Sequence, residues 1–203
     1  MKTIKTKWTG IRPLVMSNPQ TIQLSNPYAV TSRRLGSEIK AARKKQDEDK
    51  LIRLEKEMAE NDWESSAYYD EKANQFFLPD TVVIACIKAG ATLAKRGRDI
   101  DRAVIVNEQT VPITDITKHK SLAAYWADPA FHLSTACKIP PKTGVLVWKT
   151  RSMMPTGWSL EFTVDFEERL IEQKTLIEAK NEAGVMCGIG GWRPKFGRFK
   201  VET

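Results

Sequence analysis

Cysteine and histidine are scarce in this sequence. Among 203 residues stand three cysteines, Cys86, Cys137 and Cys187, and two histidines, His119 and His132. No two cysteines form a CxxC pair, and the five residues are too dispersed to supply the four closely spaced ligands of a zinc site. The cysteines read instead as small core residues in a reducing compartment. Long apolar runs are missing as well: none approaches the roughly 18–20 residues of a membrane span. The opening MKTIKTKWTG has cations with no apolar segment behind them, unlike a signal peptide, so the cytoplasm is the expected location. A carboxylate cluster of the kind used by metal-dependent nucleases is also lacking. Asp47, Glu48 and Asp49 are consecutive and point different ways around a helix. No GxGxxG opens a helix after a strand, so there is no dinucleotide fingerprint. The expectation is a protein without metal or cofactor.

What is present is an ordinary globular composition, 41% hydrophobic and 28% charged. The length suits one compact α+β domain, 1–203, with half-units at 1–110 and 111–203. The net charge is +7, and residues 1–50 account for it: eleven cations there face four acids. Clustered positive charge favours a polyanionic partner, because each neutralised phosphate releases counterions.

The order of elements follows from periodicity. KTIKTKWTGI alternates and reads as a first strand. RPLVMSNPQTIQLSNPYAV, with Asn-Pro twice, reads as an extended loop. SEIKAARKKQDEDKLIRLEKEMAENDW has no glycine or proline and a partial apolar stripe, as in a charged helix. SAYYDEKANQFFLP is a hairpin turning at DEKAN. DTVVIACIKAGATLAK is a helix with Asp80 or Thr81 as its cap and Gly90 where a neighbour packs close. KRGRD ends that helix, and IDRAVIVNEQTVPI is a strand. Residues 114–135 look irregular, with a turn at ADPAF. ACKIPPKTGVLVWKTRSMMPTGWSLEFTVDF makes two or three strands, the last with Trp158, Leu160, Phe162 and Val164 on one face. EERLIEQKTLIEAKNEAG is a helix capped by Gly184, and GRFKVE is a final strand. Each half is a βαβ-type unit around an antiparallel sheet, as in ferredoxin-like folds, with helices on one face.

Three places carry candidate binding residues. The first is Arg33 and Arg34, just before the charged helix, with Arg43, Lys44 and Lys45 of its ARKK run, which either lies on phosphate or forms a solvated face with i,i+4 pairs. The second is VLVWKTRSMMP, where Lys149 and Arg151 are two apart and share a sheet face. They could track a strand backbone or protect an exposed edge from aggregation. The third is GIGGWRPKFGRF, in which Gly188, Gly190, Gly191 and Gly197 interleave with Trp192, Arg193, Lys195 and Arg198. Glycines bring backbone N–H groups close to a ligand and can form an anion-binding nest. Trp192 offers a face for stacking a base of a single strand. The alternative is a tight return from helix to strand with Trp192 in the core. His119 sits among lysines, and His132 in an apolar setting.

Two of these segments together resemble the RAMP superfamily, the repeat-associated RNA-binding proteins of CRISPR systems. In that family a strand leads to a motif near IPGSSLKGALR and a helix. FFLPDTVVIACIKAGA stands in that role here, with Pro79 matching the proline and Asp80 and Thr81 replacing glycine and serine. The family ends on a helix, a loop of the kind GIGGxxxxGFGRF and a last strand. AGVMCGIGGWRPKFGRFKVE matches at Gly188, Gly190, Gly191, Gly197, Arg198 and Phe199. The likeness covers residues 68–95 and 160–203; no finger or thumb insertion is legible beyond residues 17–62. The sequence is also similar to a group of small proteins of tailed-phage genomes that share the WTGIRPLVMSN opening and the GIGGWRP–GRF ending. The resemblance implies a phage-encoded protein with a ferredoxin-like, RRM/RAMP-like sheet, working in the bacterial host cytoplasm. Its expected role is non-catalytic binding of single-stranded nucleic acid, RNA or DNA. One alternative is a metal-independent endoribonuclease using His119 or His132, as in some members of the superfamily. Another is a protein-interaction factor such as a phage inhibitor or assembly component. A homo-oligomer or a protein partner stays open.

Overall fold

The computed structural model describes residues 1–138 and 146–202. In chain order the first elements are β1 (Lys2–Gly10), β2 (Leu14–Val15), α1 (Pro27–Lys45), α2 (Glu48–Ser66), β3 (Tyr69–Asp70), β4 (Gln75–Pro79), α3 (Asp80–Leu93), α4 (Gly97–Ala103), β5 (Val104–Val106) and β6 (Thr110–Thr114). They are followed by α5 (Leu122–Ala127), β7 (His132–Lys138), β8 (Leu146–Met154), β9 (Ser159–Phe166), α6 (Gln173–Glu182) and β10 (Phe199–Glu202). The chain is thus α+β with a mostly antiparallel sheet. Among the described residues no helix is long and apolar enough to cross a membrane.

Two compact units share these elements, one made of residues 1–15, 68–122 and 154–203 and the other of 16–67 and 123–153. Each draws on both halves of the sequence, so the units do not follow the division 1–110 and 111–203. The excursion read at 17–62 makes its unit only together with 123–153, which spans the end of the segment read as irregular and the strands read after it.

The first unit is organised around β1. Its alternation turns Ile4, Thr6, Trp8 and Gly10 inward. It pairs with β9 from Lys2↔Phe166 to Thr9↔Ser159, and with β10 from Lys7↔Glu202 to Gly10↔Phe199. On the far side of β9 lie β5 and β6, and β6 continues through β4 to β3. All the pairings are antiparallel. Trp158, Leu160, Phe162 and Val164 are buried as the alternation of β9 requires. The hairpin turns at DEKAN, with Tyr69 opposite Phe76. On the outer face, Lys5 and Lys7 of β1 pair with Glu161 of β9. The centre of the open face is therefore laced with opposite charges instead of carrying aromatic platforms.

Helices α3 and α6 cover the buried face. A Cβ on Gly90 of α3 would lie 2.1 Å from the Ala179 carbonyl oxygen of α6, which is the close packing that glycine signalled. Several boundaries differ from those expected. Pro79, not Asp80 or Thr81, occupies the N-cap of α3, and the Asp80 carboxylate instead accepts from the N–H of Thr81. KRGRD does not simply end α3: Lys95 turns left-handed at φ 60°, and Gly97 opens α4. The strand expected from Ile100 starts only at Val104 and is split in two. At the split Asn107 donates to the Thr163 carbonyl, and the Glu108 carboxylate accepts from the Thr163 N–H. The final helix begins at Gln173, later than EERL. Gly184 is not its cap but lies in a π turn, Ala183–Cys187, where a Cβ would meet the Phe199 carbonyl oxygen at 2.4 Å.

The second unit is a helical hairpin with a β-hairpin. Both Asn-Pro pairs read as loop are helix starts: Asn18 caps a 3₁₀ turn, Pro19–Ile22, and Asn26 caps α1, whose first residue is Pro27. Proline suits the first helical position because its missing N–H is not needed there. The charged segment is two helices, not one. Gln46 ends α1 in the left-handed region at φ 56°, and the Asp47 side chain caps α2 through the Lys50 N–H. Leu35, Ala42 and Leu54, with Ile39, Leu51 and Met58 against them, form the seam. Within 114–135 there is more order than the pattern shows: α5, a 3₁₀ turn at Pro129–Phe131, and the start of β7. β7 and β8 pair from His132↔Ser152 to Lys138↔Leu146. Residues 139–145, part of the segment read as two or three strands, lie outside the described residues.

Candidate nucleic-acid interface

The second unit contains a cleft of about 510 Å³. Arg33 of α1 and Lys149 and Arg151 of β8 line it, together with hydroxyls of Ser17, Ser32, Ser65 and Thr150. Strand alternation sets Lys149 and Arg151 on one face, as their spacing required. That face is not a solvated edge: the Lys149 ammonium donates to Asp62 of α2 at 2.7 Å, and the Arg151 guanidinium donates to Ser17 Oγ at 2.8 Å. Arg33 donates to the carbonyls of Leu24 and Ala29, which fixes its guanidinium over the chain entering α1. Asp62 is the one carboxylate of the lining. Burial pushes its carboxyl up, and the adjacent Lys149 ammonium opposes that shift. The lining therefore holds three cations against one acid, and since Lys149 is paired with that acid, Arg33 and Arg151 carry its net positive charge.

The other helical cations fare differently. Arg34 is bound by Glu38 and Glu57, and Arg43 by Glu55. Exposed pairs of this kind leave little net charge for a partner. Lys44 and Lys45 are exposed in the last turn of α1, where they also suit the helix dipole.

The glycine loop of the first unit does not display a nest of bare amides. The N–H of Gly188 donates to the Ala183 carbonyl, that of Ile189 to Gly197, that of Gly191 to Val15 and that of Gly197 to Pro13. Gly188, Gly190 and Gly197 have φ between 70° and 82°, and a Cβ on Gly197 would lie 1.8 Å from the Ile189 carbonyl oxygen. The glycines thus serve a tight return from α6 to β10, with the amides of Gly188, Ile189, Gly191 and Gly197 spent on carbonyls of the fold. Trp192 is half-buried with its ring 6.3 Å from that of Phe196, which Lys195 overlies. Arg198 is turned back onto the Pro194 carbonyl. Arg193 is exposed, and among the described residues its side chain makes no hydrogen bond or ion pair.

His132 is a packing residue. Its ring lies 4.3 Å from that of Trp126 and 5.5 Å from that of Trp63, and burial lowers its pKa, holding it neutral. His119 lends its carbonyl to the Asn74 amide. Cys86 is buried, with its thiol pushed up to about 12 by burial and its Sγ 3.4 Å from the Gly188 carbonyl. Since only the thiolate alkylates, Cys86 is expected to stay unlabelled by iodoacetamide at about pH 8 in the native protein and to react on unfolding. Mass mapping of the labelled cysteines checks this.

Reasoning from the sequence missed Asp62, the hydroxyls of the cleft and Trp148. Asp62 was hidden in a charge-rich helix. Trp148 was visible beside Lys149, but its outward direction depends on the strand's register. No protein-family model matches the chain, and no curated protein matches it.

Proposed function

We propose that this protein binds single-stranded nucleic acid, with backbone phosphates drawn into the cleft of the second unit by Arg33, Lys149 and Arg151. The observation that carries it is the convergence of Arg33 of α1 with Lys149 and Arg151 of β8 on one hydroxyl-lined cleft, whose single carboxylate, Asp62, is paired with Lys149 and leaves the two guanidiniums as net charge. Phosphate oxygens accept from guanidinium forks and hydroxyls alike. A path of such contacts holds a backbone without reading its sequence. The first unit is read as a ferredoxin-like plan of the RAMP type. In support, β1 lies between β9 and β10, and α3 and α6 are the two connecting helices. A phage-encoded protein of the host cytoplasm fits that resemblance. His132 does not support an endoribonuclease, because its ring is packed against the indoles of Trp126 and Trp63.

Fluorescence anisotropy with thymidine and uridine oligomers and a duplex, over rising salt, tests this. Single strands are expected to bind with a steep salt slope. Arg33→Gln and Arg151→Gln are each expected to weaken binding roughly tenfold for all sequences and to reduce the slope by about 0.7. Absence of salt-dependent binding at low ionic strength overturns the proposal.

A further inference from the structure

We infer that a groove beside Trp148 seats an unpaired nucleobase, resting on the binding function proposed above. Trp148 is 65% exposed, whereas Trp8, Trp63 and Trp158 are fully buried. The indole borders a groove of about 310 Å³ in the second unit, with Gly36, Ile39, Met58, Ala59 and Val147 as its apolar lining. Its size is at the small end of pockets that hold a compact ligand.

Gly36 is the second observation. It lies inside α1, where alanine would make a more stable helix. Gly90 is required by a close neighbour and Gly157 by a φ of 98°, yet Gly36 has ordinary helical backbone and a Cβ on it would meet nothing within 4 Å. Its effect is to leave the floor of the groove open. A flat ring entering over that floor would lie against the indole, a contact any base can make.

Charge selects the occupant. Arg43 and Glu55 in the lining neutralise each other, as do Asp62 and Lys149. Lys40 remains, with Lys44 one turn further along α1, so the rim is positive. Asp62 and Thr150 line both this groove and the cationic cleft, so the two adjoin. A base in one and its phosphate in the other is the arrangement of a nucleotide. An apolar peptide would have no use for the second half.

The test compares a thymidine or uridine oligomer of about twenty nucleotides with an abasic oligomer of the same length. Trp148→Ala is expected to weaken the base-bearing oligomer roughly tenfold or more and to leave the abasic one unchanged. Trp148→Phe should restore most of the loss. Gly36→Leu should fill the groove and act like Trp148→Ala, while its urea midpoint stays at or above that of the parent, which separates blocking from misfolding. If both variants bind the base-bearing oligomer as the parent does, with salt dependence intact, the stacking site is overturned and phosphate binding stands; a peptide groove would give that result. If the parent binds neither oligomer, the function itself fails and the base site with it.

Discussion

Gly90→Ala is expected to lower the unfolding free energy by about 3 kcal/mol, the range of an overpacked core. Alanine is the better helix former by about 1 kcal/mol, so propensity alone would make the change stabilising. The clash decides the sign. The added carbon would stand 2.1 Å from the Ala179 carbonyl oxygen and 2.6 Å from the Ala183 nitrogen, both backbone atoms. Neither can rotate away, so α3 and α6 must part. Gly36→Ala is the matched control: it too is in a helix, meets nothing within 4 Å, and should gain up to about 1 kcal/mol. Urea unfolding of the two variants measures both. Equal midpoints would show that the helices of the first unit tolerate separation.

Lys180→Met is expected to raise stability by about 2 kcal/mol at neutral pH. The Lys180 ammonium is wholly buried on α6, and its one hydrogen bond among the described residues goes to Thr6 Oγ1 of β1 at 2.8 Å. Burial lowers its pKa from 10.5 to about 8. The unfolded chain therefore holds the proton more tightly than the folded one. That difference is a penalty of about 3 kcal/mol below pH 8, and the lost bond to Thr6 takes back about 1 when methionine replaces the lysine. Between about 8 and 10.5 the unfolded state binds more protons, so stability rises with pH through that window. Cys86 acts oppositely between 9 and about 12, since its thiol is raised in the fold. The two effects overlap, and the difference between parent and variant isolates the lysine. It should be largest below pH 8, vanish near about pH 10 and reverse by about 1 kcal/mol above 10.5, where only the lost bond to Thr6 remains. A difference independent of pH would show that the lysine titrates normally.

Much of the first unit was legible because its strands alternate. Trp8 and Thr6 face inward on β1 and Trp158 to Val164 on β9, and period two leaves little choice once one face is apolar. Gly90 was legible too, as a glycine that an apolar helix had no local reason to contain. The second unit was harder. Asn26-Pro27 has the same composition whether it turns a loop or caps a helix, and only the apolar seam downstream decides. Leu35, Ala42 and Leu54 make that seam across a break at Gln46, so no single-helix stripe contains them. The cations of Arg34 and Arg43 were visible, but their acids, Glu57 and Glu55, sit on the antiparallel helix. The glycine loop misled for a related reason. Its amides meet carbonyls of Val15 and Pro13, far away in sequence, and chain order cannot reveal such partners.

The position of β1 has a consequence for how the molecule is made. Translation delivers Lys2–Gly10 long before Ser159–Phe166 and Phe199–Glu202, the two segments that flank it. Until they emerge, the strand waits with both hydrogen-bonding edges bare, the condition in which nascent chains recruit one another or a chaperone. The pairings of β1 with β9 and β10 are therefore laid down last, as a slow, long-range closure over a chain whose helical hairpin needs only its own neighbours to form.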